Sequence, residues 1–266
     1  MSELAEIFAA ARAEGRAALI GYLPAGFPTA PEAVALIGAM VENGVDIVEV
    51  GLPYSDPLMD GPAIQAAVEQ SLAGGARIAD VLATVRATRA AGAPALVMSY
   101  WNPIERYGVE RFAAELQAAG GVGTITPDLT PEEAADWLAA TEARDLDRVF
   151  LVAPSSPDER IRAVISVASG FVYAASTMGV TGVRSSVSVD AADLVARVRE
   201  VTTLPVCVGL GVSTGEQAGE VAAYADGVIV GSAFIRVVQQ APDPASAREQ
   251  VGRLARELAA GVRNHR

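Results

Sequence analysis

The sequence predicts a closed (β/α)8 barrel in a single domain spanning residues 1–266, with an extra helix at each end. Three observations point to it. Eight short β-branched runs recur along the chain, each continuously apolar, as parallel strands covered on both faces must be. Ala-, Glu- and Arg-rich stretches with helical spacing fall between them. Together these units occupy roughly 230 residues, a length that suits eight strand–helix repeats closed on themselves. An open doubly wound sheet would leave edge strands, and none of the eight runs reads as a polar edge.

The elements follow in order. Residues 2–14 form an amphipathic helix placed to plug the bottom of the barrel. Strands are predicted at 17–22, 46–51, 95–100, 122–126, 148–152, 171–175, 205–209 and 227–230. Helices are predicted at 31–43, 78–91, 109–119, 131–143, 157–168, 191–201 and 215–223, with a last one at 245–262. Thr130-Pro131-Glu132-Glu133 and Ser156-Pro157-Asp158-Glu159 read as an N-cap, a proline at the first helical position and acids in the first turn. Thr29 with Pro31-Glu32 is a looser version. Gly44, Gly92 and Gly120 stand where helix C-terminal caps are needed.

Absent residue types narrow the chemistry. All 20 basic side chains are arginine, so there is no lysine for a Schiff base, a pyridoxal anchor or a P-loop. The one histidine, His265, is next to last. That excludes a Ser-His-Asp or Cys-His site and a histidine-rich metal site. The one cysteine, Cys207, reads as a small buried core residue and excludes a disulfide within the chain, a redox pair and an iron–sulfur cluster. Acid–base chemistry must fall to Asp, Glu or Tyr, and neither a metal nor a cofactor is expected in this chain. The net charge of −12 argues against nucleic acid. No apolar run approaches the roughly 20 residues of a membrane span. The start, MSELAEIFAAARAEGR, lacks the basic end and apolar centre of a secretion signal, so the expected location is cytoplasmic.

In such a barrel the reactive groups lie at the C-terminal ends of the strands. Glu49 alternates with Ile47 and Gly51 on strand two, where a buried carboxylate is costly unless paired or functional. It is either a proton-transfer group with a raised pKa or a structural glutamate hydrogen-bonded inside the barrel. The loop 52–62 that follows is long and carries Asp56 and Asp60. Asp60 could face the same cavity as Glu49, although Asp-Pro and Asp-Gly are also ordinary turn formers. Residues 176–186 are small and glycine-containing, which suits either a closing lid or a plain loop. Gly209-Leu210-Gly211 after strand seven and Gly231-Ser232 after strand eight favour phosphate held by backbone N–H groups and a short helix N-terminus. Tyr22, Tyr100 and Tyr173 near three strand ends fit either core packing or the wall of an aromatic pocket. Trp101 and Trp137 give no signal.

The segment Asp46-Ile-Val-Glu49-Val-Gly-Leu-Pro53-Tyr-Ser-Asp56-Pro57-Leu-Met-Asp60-Gly61-Pro62 closely resembles the signature of the tryptophan synthase α chain family. The similarity continues through Gly21-Tyr22-Leu-Pro-Ala-Gly-Phe-Pro, Tyr100-Trp-Asn102-Pro103-Ile, Pro127-Asp128-Leu-Thr-Pro-Glu-Glu, Gly179-Val-Thr181-Gly182 and Gly231-Ser232, in order along nearly the whole chain. The resemblance implies a TIM barrel and a lyase that cleaves indole-3-glycerol phosphate to indole and glyceraldehyde 3-phosphate. It implies a pyridoxal-phosphate-dependent β chain as partner in an α2β2 assembly, with indole passed internally between the sites. It also implies Glu49 and Asp60 as the catalytic pair, with Tyr173 close by and Thr181 orienting Asp60. Gly182, Gly211, Gly231 and Ser232 would hold the phosphate, and Tyr22, Tyr100 and Leu210 would line the indole pocket. Asp56, Asn102 and Pro103 would face the β chain. Many relatives carry phenylalanine where this chain has Leu210, and Ala174-Ala175 and Thr177-Met178 differ from the commonest sequence there. Another phosphate-binding barrel, such as a carboxylate-dependent sugar phosphate isomerase, and a non-catalytic activator of a β chain are the competing readings.

Overall fold

The computed structural model describes residues 2–175, 189–209 and 211–263. Among these, nine strands run parallel in one sheet: β1 (Ala18–Pro24), β2 (Ile47–Gly51), β3 (Ala95–Met98), β4 (Gly123–Ile125), β5 (Asp147–Val149), β6 (Leu151–Val152), β7 (Val172–Ala175), β8 (Val206–Gly209) and β9 (Gly227–Val230). Their order is β5-β4-β3-β2-β1-β9-β8-β7-β6. The two ends of that order are separated in sequence only by Phe150, whose carbonyl accepts the N–H of Tyr173 at 3.1 Å. β5 and β6 are therefore one barrel strand with a break in it, and the sheet closes on itself. The predicted (β/α)8 barrel is the fold observed.

Helices alternate with the strands: α1 (Glu3–Ala13), α2 (Ala30–Glu42), α3 (Pro62–Ala73), α4 (Ile78–Ala90), α5 (Trp101–Tyr107), α6 (Val109–Ala118), α7 (Ala135–Glu142), α8 (Asp158–Val167), α9 (Val189–Arg199), α10 (Gly215–Ala222), α11 (Ser232–Gln240) and α12 (Pro244–Gly261). The expected end helices are α1 and α12. Thr29 caps α2 as expected, and Gly44, Gly92 and Gly120 take positive φ just past α2, α4 and α6. The expected start at Pro131 is different. Residues Pro131–Glu133 make one 3₁₀ turn, and α7 begins afterwards. Pro157 is extended (φ −67°, ψ 158°) and occupies the cap position itself, while Ser156 Oγ accepts from the N–H of Ala153. Three helices were not legible in the sequence. α5 spans only seven residues, and α11 begins directly at Gly231-Ser232, read in the sequence as the turn after strand eight. α3 is rich in alanine and buries only Ala67, Val68 and Ser71 along its inner stripe, so its apolar contrast is weak.

Strand alternation sorts the apolar residues into two layers. Ala18, Ile20, Ile47, Leu96, Ile125, Val149, Cys207 and Ile229 fill the barrel interior. Leu19, Leu23, Val48, Val50, Val97, Val208 and Val228 pack outward under the helices. Helix α1 closes the bottom as expected: Leu4, Phe8 and Ala11 join the interior layer, and Phe8 meets Phe171 edge to face at 5.8 Å. A forked ion pair at the same end joins Arg16 to Asp46 (2.7 and 2.9 Å), and Asp46 also accepts the N–H of Leu19. This ties the start of β2 to β1 and sets the register that brings Tyr22 beside Glu49.

Candidate active site

Glu49 faces into the barrel because Ile47, two residues earlier on β2, does so. It is 1% exposed, and its Oε1 has no hydrogen-bond partner among the described residues. A satisfied structural glutamate would not leave a buried oxygen unpaired. Burial pushes its pKa up to about 8, so near neutrality the side chain is mostly the neutral acid.

Asp60 reaches the same mouth from the loop between β2 and α3. The Tyr100 hydroxyl donates to its carboxylate, and the same hydroxyl accepts the Met59 N–H at 3.1 Å. Burial raises the Asp60 pKa, and the Tyr100 hydrogen bond opposes that rise. Gln65, in the first turns of α3, donates to the Asp60 carbonyl at 2.7 Å. The Tyr54 ring packs against Tyr100 with centroids 5.6 Å apart. The loop therefore holds Asp60 at both its backbone and its side chain. Gln65 carried no recognisable signal, since a surface glutamine on an alanine-rich helix is unremarked in sequence.

Glycine at two strand ends makes room for two tyrosines. A Cβ on Gly51 would stand 2.5 Å from the Tyr22 hydroxyl, and one on Gly209 would stand 2.3 Å from the Tyr173 hydroxyl. Each tyrosine thus lies across the neighbouring strand's terminal glycine and covers the barrel mouth. Burial raises the Tyr22 hydroxyl pKa well above its usual value, and the charges of Asp60 and Glu49 add to the rise. Tyr173 is raised likewise by burial and then by Glu49. Tyr22 is near both carboxyl groups, so strand two and its loop converge on one cavity.

Beside the aromatic wall lies an open helix end. Gly231 precedes α11 and is packed under the Tyr22 ring, and Ser232 is buried at the first helical position. Among the described residues no side chain caps α11, as is also true of α3, α5, α6, α7 and α8, whereas Ser2, Thr29, Thr214 and Asp243 cap α1, α2, α10 and α12. Gly211 has a positive φ of 67° in the turn after β8. Arg236 donates to Ser232 Oγ at 3.1 Å. The expectation of an anion site made of backbone alone did not include it, although its four-residue spacing from Ser232 is readable in the sequence. Thr181, Gly182, Leu210 and the expected lid 176–186 lie outside the described residues.

The outer rim of the same barrel end is partly apolar. Leu58 is 74% exposed and Met59 42%, beside Asp56, which accepts from Ser55 Oγ at 2.5 Å. Asn102 is exposed and Pro103 half-buried at the start of α5, whose Trp101 N–H donates to Asp128 at 2.8 Å. Trp137 is buried among Trp101 and Phe112, away from the mouth, and Cys207 is a fully buried interior residue.

A family model described as the tryptophan synthase alpha chain matches residues 8–263. The chain belongs to the tryptophan synthase α chain family. A tryptophan synthase alpha chain from Thermobifida fusca is 59% identical over 99% of this chain and 98% of its own length. One from Mycobacteroides abscessus is 60% identical over 98% and 97%. Among solved structures, Mycobacterium tuberculosis tryptophan synthase superposes with a TM-score of 0.93 at 55% identity, covering 98% of both chains. A tryptophan synthase alpha chain from Legionella pneumophila reaches 0.89 at 32% identity, covering 99% and 98%. The barrel has thus kept its shape across a wide range of tryptophan synthase α chain sequences.

Proposed function

We propose that this chain is the lyase subunit that splits indole-3-glycerol phosphate into indole and glyceraldehyde 3-phosphate, with Glu49 and Asp60 as its catalytic pair. The observation that carries this reading is a neutral buried carboxyl and a second, hydrogen-bonded carboxylate meeting at one barrel mouth under an aromatic wall. Glu49 in its acid form gives a proton to indole C3. The ring then carries positive charge at N1, which the Asp60 carboxylate stabilises. Glu49, now a carboxylate, takes the proton of the side-chain hydroxyl as the bond to C3 breaks. The proton count closes, because Glu49 ends as it began. The protonated indole accepts the bonding electrons, so a chain without lysine can run the step.

Tyr22 and Tyr100, with Leu210, line the indole site, and Tyr173 stands beside Glu49. Gly182, Gly211, Gly231 and Ser232 hold the phosphate, with Thr181 orienting Asp60. The rim that carries Asp56, Leu58, Met59, Asn102 and Pro103 receives a β chain in an α2β2 assembly. That partner holds pyridoxal phosphate and turns the released indole into tryptophan. The location assigned by this reading is the cytoplasm.

The test is indole release from indole-3-glycerol phosphate, with and without a β chain. Release that depends on Glu49 supports the assignment. No release with a competent β chain present would sink it, and aldose–ketose interconversion in its place would favour an isomerase.

A further inference from the structure

Arg236 sits four residues after Ser232 on α11, so both side chains lie on one helix face. Its Nη2 donates to Ser232 Oγ at 3.1 Å. A serine hydroxyl has two acceptor lone pairs and a single proton. The guanidinium fills one lone pair and has no acceptor of its own, so the hydroxyl proton must point elsewhere. Ser232 is only 6% exposed, and among the described residues no side chain caps the helix end it stands on, so that end is open to its proton. Arg236 forms no ion pair with a carboxylate among the described residues. Among the described residues no carboxylate neutralises its charge, which stands one turn behind the N-terminal amides of α11 with the same sign as the helix dipole there.

We infer that Arg236 is the positioning residue for substrate phosphate: it holds Ser232 so that the hydroxyl donates to the phosphate, and its charge favours the dianion. This rests on the phosphate assignment of the proposed function. It also changes the account of a lysine-free site. The phosphate is held by backbone amides and one hydroxyl, but that hydroxyl is set by a cation.

The complex with the β chain provides the test. In R236M, KM for indole-3-glycerol phosphate should rise about tenfold while kcat stays within about twofold. Competitive inhibition by inorganic phosphate should weaken by a similar factor, and inhibition by indole-3-glycerol, which lacks the phosphate, should not change. R236K should recover part of the lost affinity, because it keeps the charge without the fork. S232A combined with R236M should lose less than the two single losses multiplied together, since part of the arginine's effect passes through the hydroxyl. A KM for R236M within about twofold of the parent, or equal weakening of indole-3-glycerol, overturns the proposal. R236Q serves the same comparison if R236M does not fold. If the parent releases no indole, the functional assignment fails separately. Calorimetric binding of inorganic phosphate to the parent and R236M then still decides the role of Arg236: equal binding overturns it, and weaker binding by R236M supports it.

Discussion

The Tyr100 hydroxyl donates to the Asp60 carboxylate and accepts the N–H of Met59, the residue immediately before it. One phenol thus acts on both the ionisation and the loop position of a carboxylate nine residues beyond the end of β2 at Gly51. Tyr100 opposes the rise in Asp60 pKa that burial causes. In Y100F the carboxylate should protonate at higher pH, so the acid limb of kcat/KM for indole release should move upward. Activity should fall more at the acid end of the profile than at neutral pH. An acid limb that stays in place would remove Tyr100 from this role.

Glu49 links catalysis to stability. Its carboxyl holds a proton up to about pH 8 in the folded chain, whereas the ordinary value is 4.5. Between those pH values the unfolded chain has released the proton and the folded chain has not, so folding stability falls as pH rises through that window. E49Q removes the slope. It should abolish indole release, still bind the β chain, and gain on the parent by a few kcal/mol in denaturant unfolding at pH 9 relative to pH 4. Parallel stability–pH curves for the two proteins would count against a buried neutral Glu49.

The rate profile gives a separate check on the same group. If the acid form of Glu49 starts the reaction, kcat/KM should decline as pH passes about 8. A rise through that range would mean that the carboxylate is the starting form, with the C3 proton coming from another source.

Gly51 gives space to Tyr22, and the two should be coupled. G51A puts a methyl group 2.5 Å from the Tyr22 hydroxyl. The expected loss is about 1–3 kcal/mol of stability, with a raised KM for substrate as the ring is displaced. Y22F in the same chain should relieve part of the stability loss, seen as non-additive melting shifts. Strict additivity would mean that the ring already has room to move.

Leu58 and Met59 present apolar surface that the isolated chain does not need. L58D with M59D should leave unfolding of the isolated chain within about 0.5 kcal/mol and weaken β-chain binding roughly tenfold or more. Titration of the β chain by calorimetry separates the two effects, and unchanged affinity would move the interface elsewhere.

Much of this was legible in the sequence because it rests on local patterns. Parallel strands buried on both faces are continuous apolar runs, so eight of them declared the barrel. Period-two alternation places Glu49 on the same side of its strand as Ile47, which lies in the barrel interior. The long signature around Glu49 and Asp60 carried the family, because a match over that many positions is specific. Where local signals were weak, boundaries slipped. α3 has too little apolar contrast, α5 spans only seven residues, and Pro131 starts a 3₁₀ turn instead of the helix.

What the sequence determined by itself was the chain's periodicity and its inventory: a barrel, two candidate carboxyl groups and no lysine or core histidine. Only the tertiary structure decided that Glu49 has an oxygen with no partner among the described residues, that Tyr100 holds Asp60, and that Arg236 holds Ser232. The physical reason is range. Periodicity and turn chemistry act between near neighbours, whereas burial, pKa and hydrogen-bond pairing depend on which distant strands and loops closure of the barrel brings together.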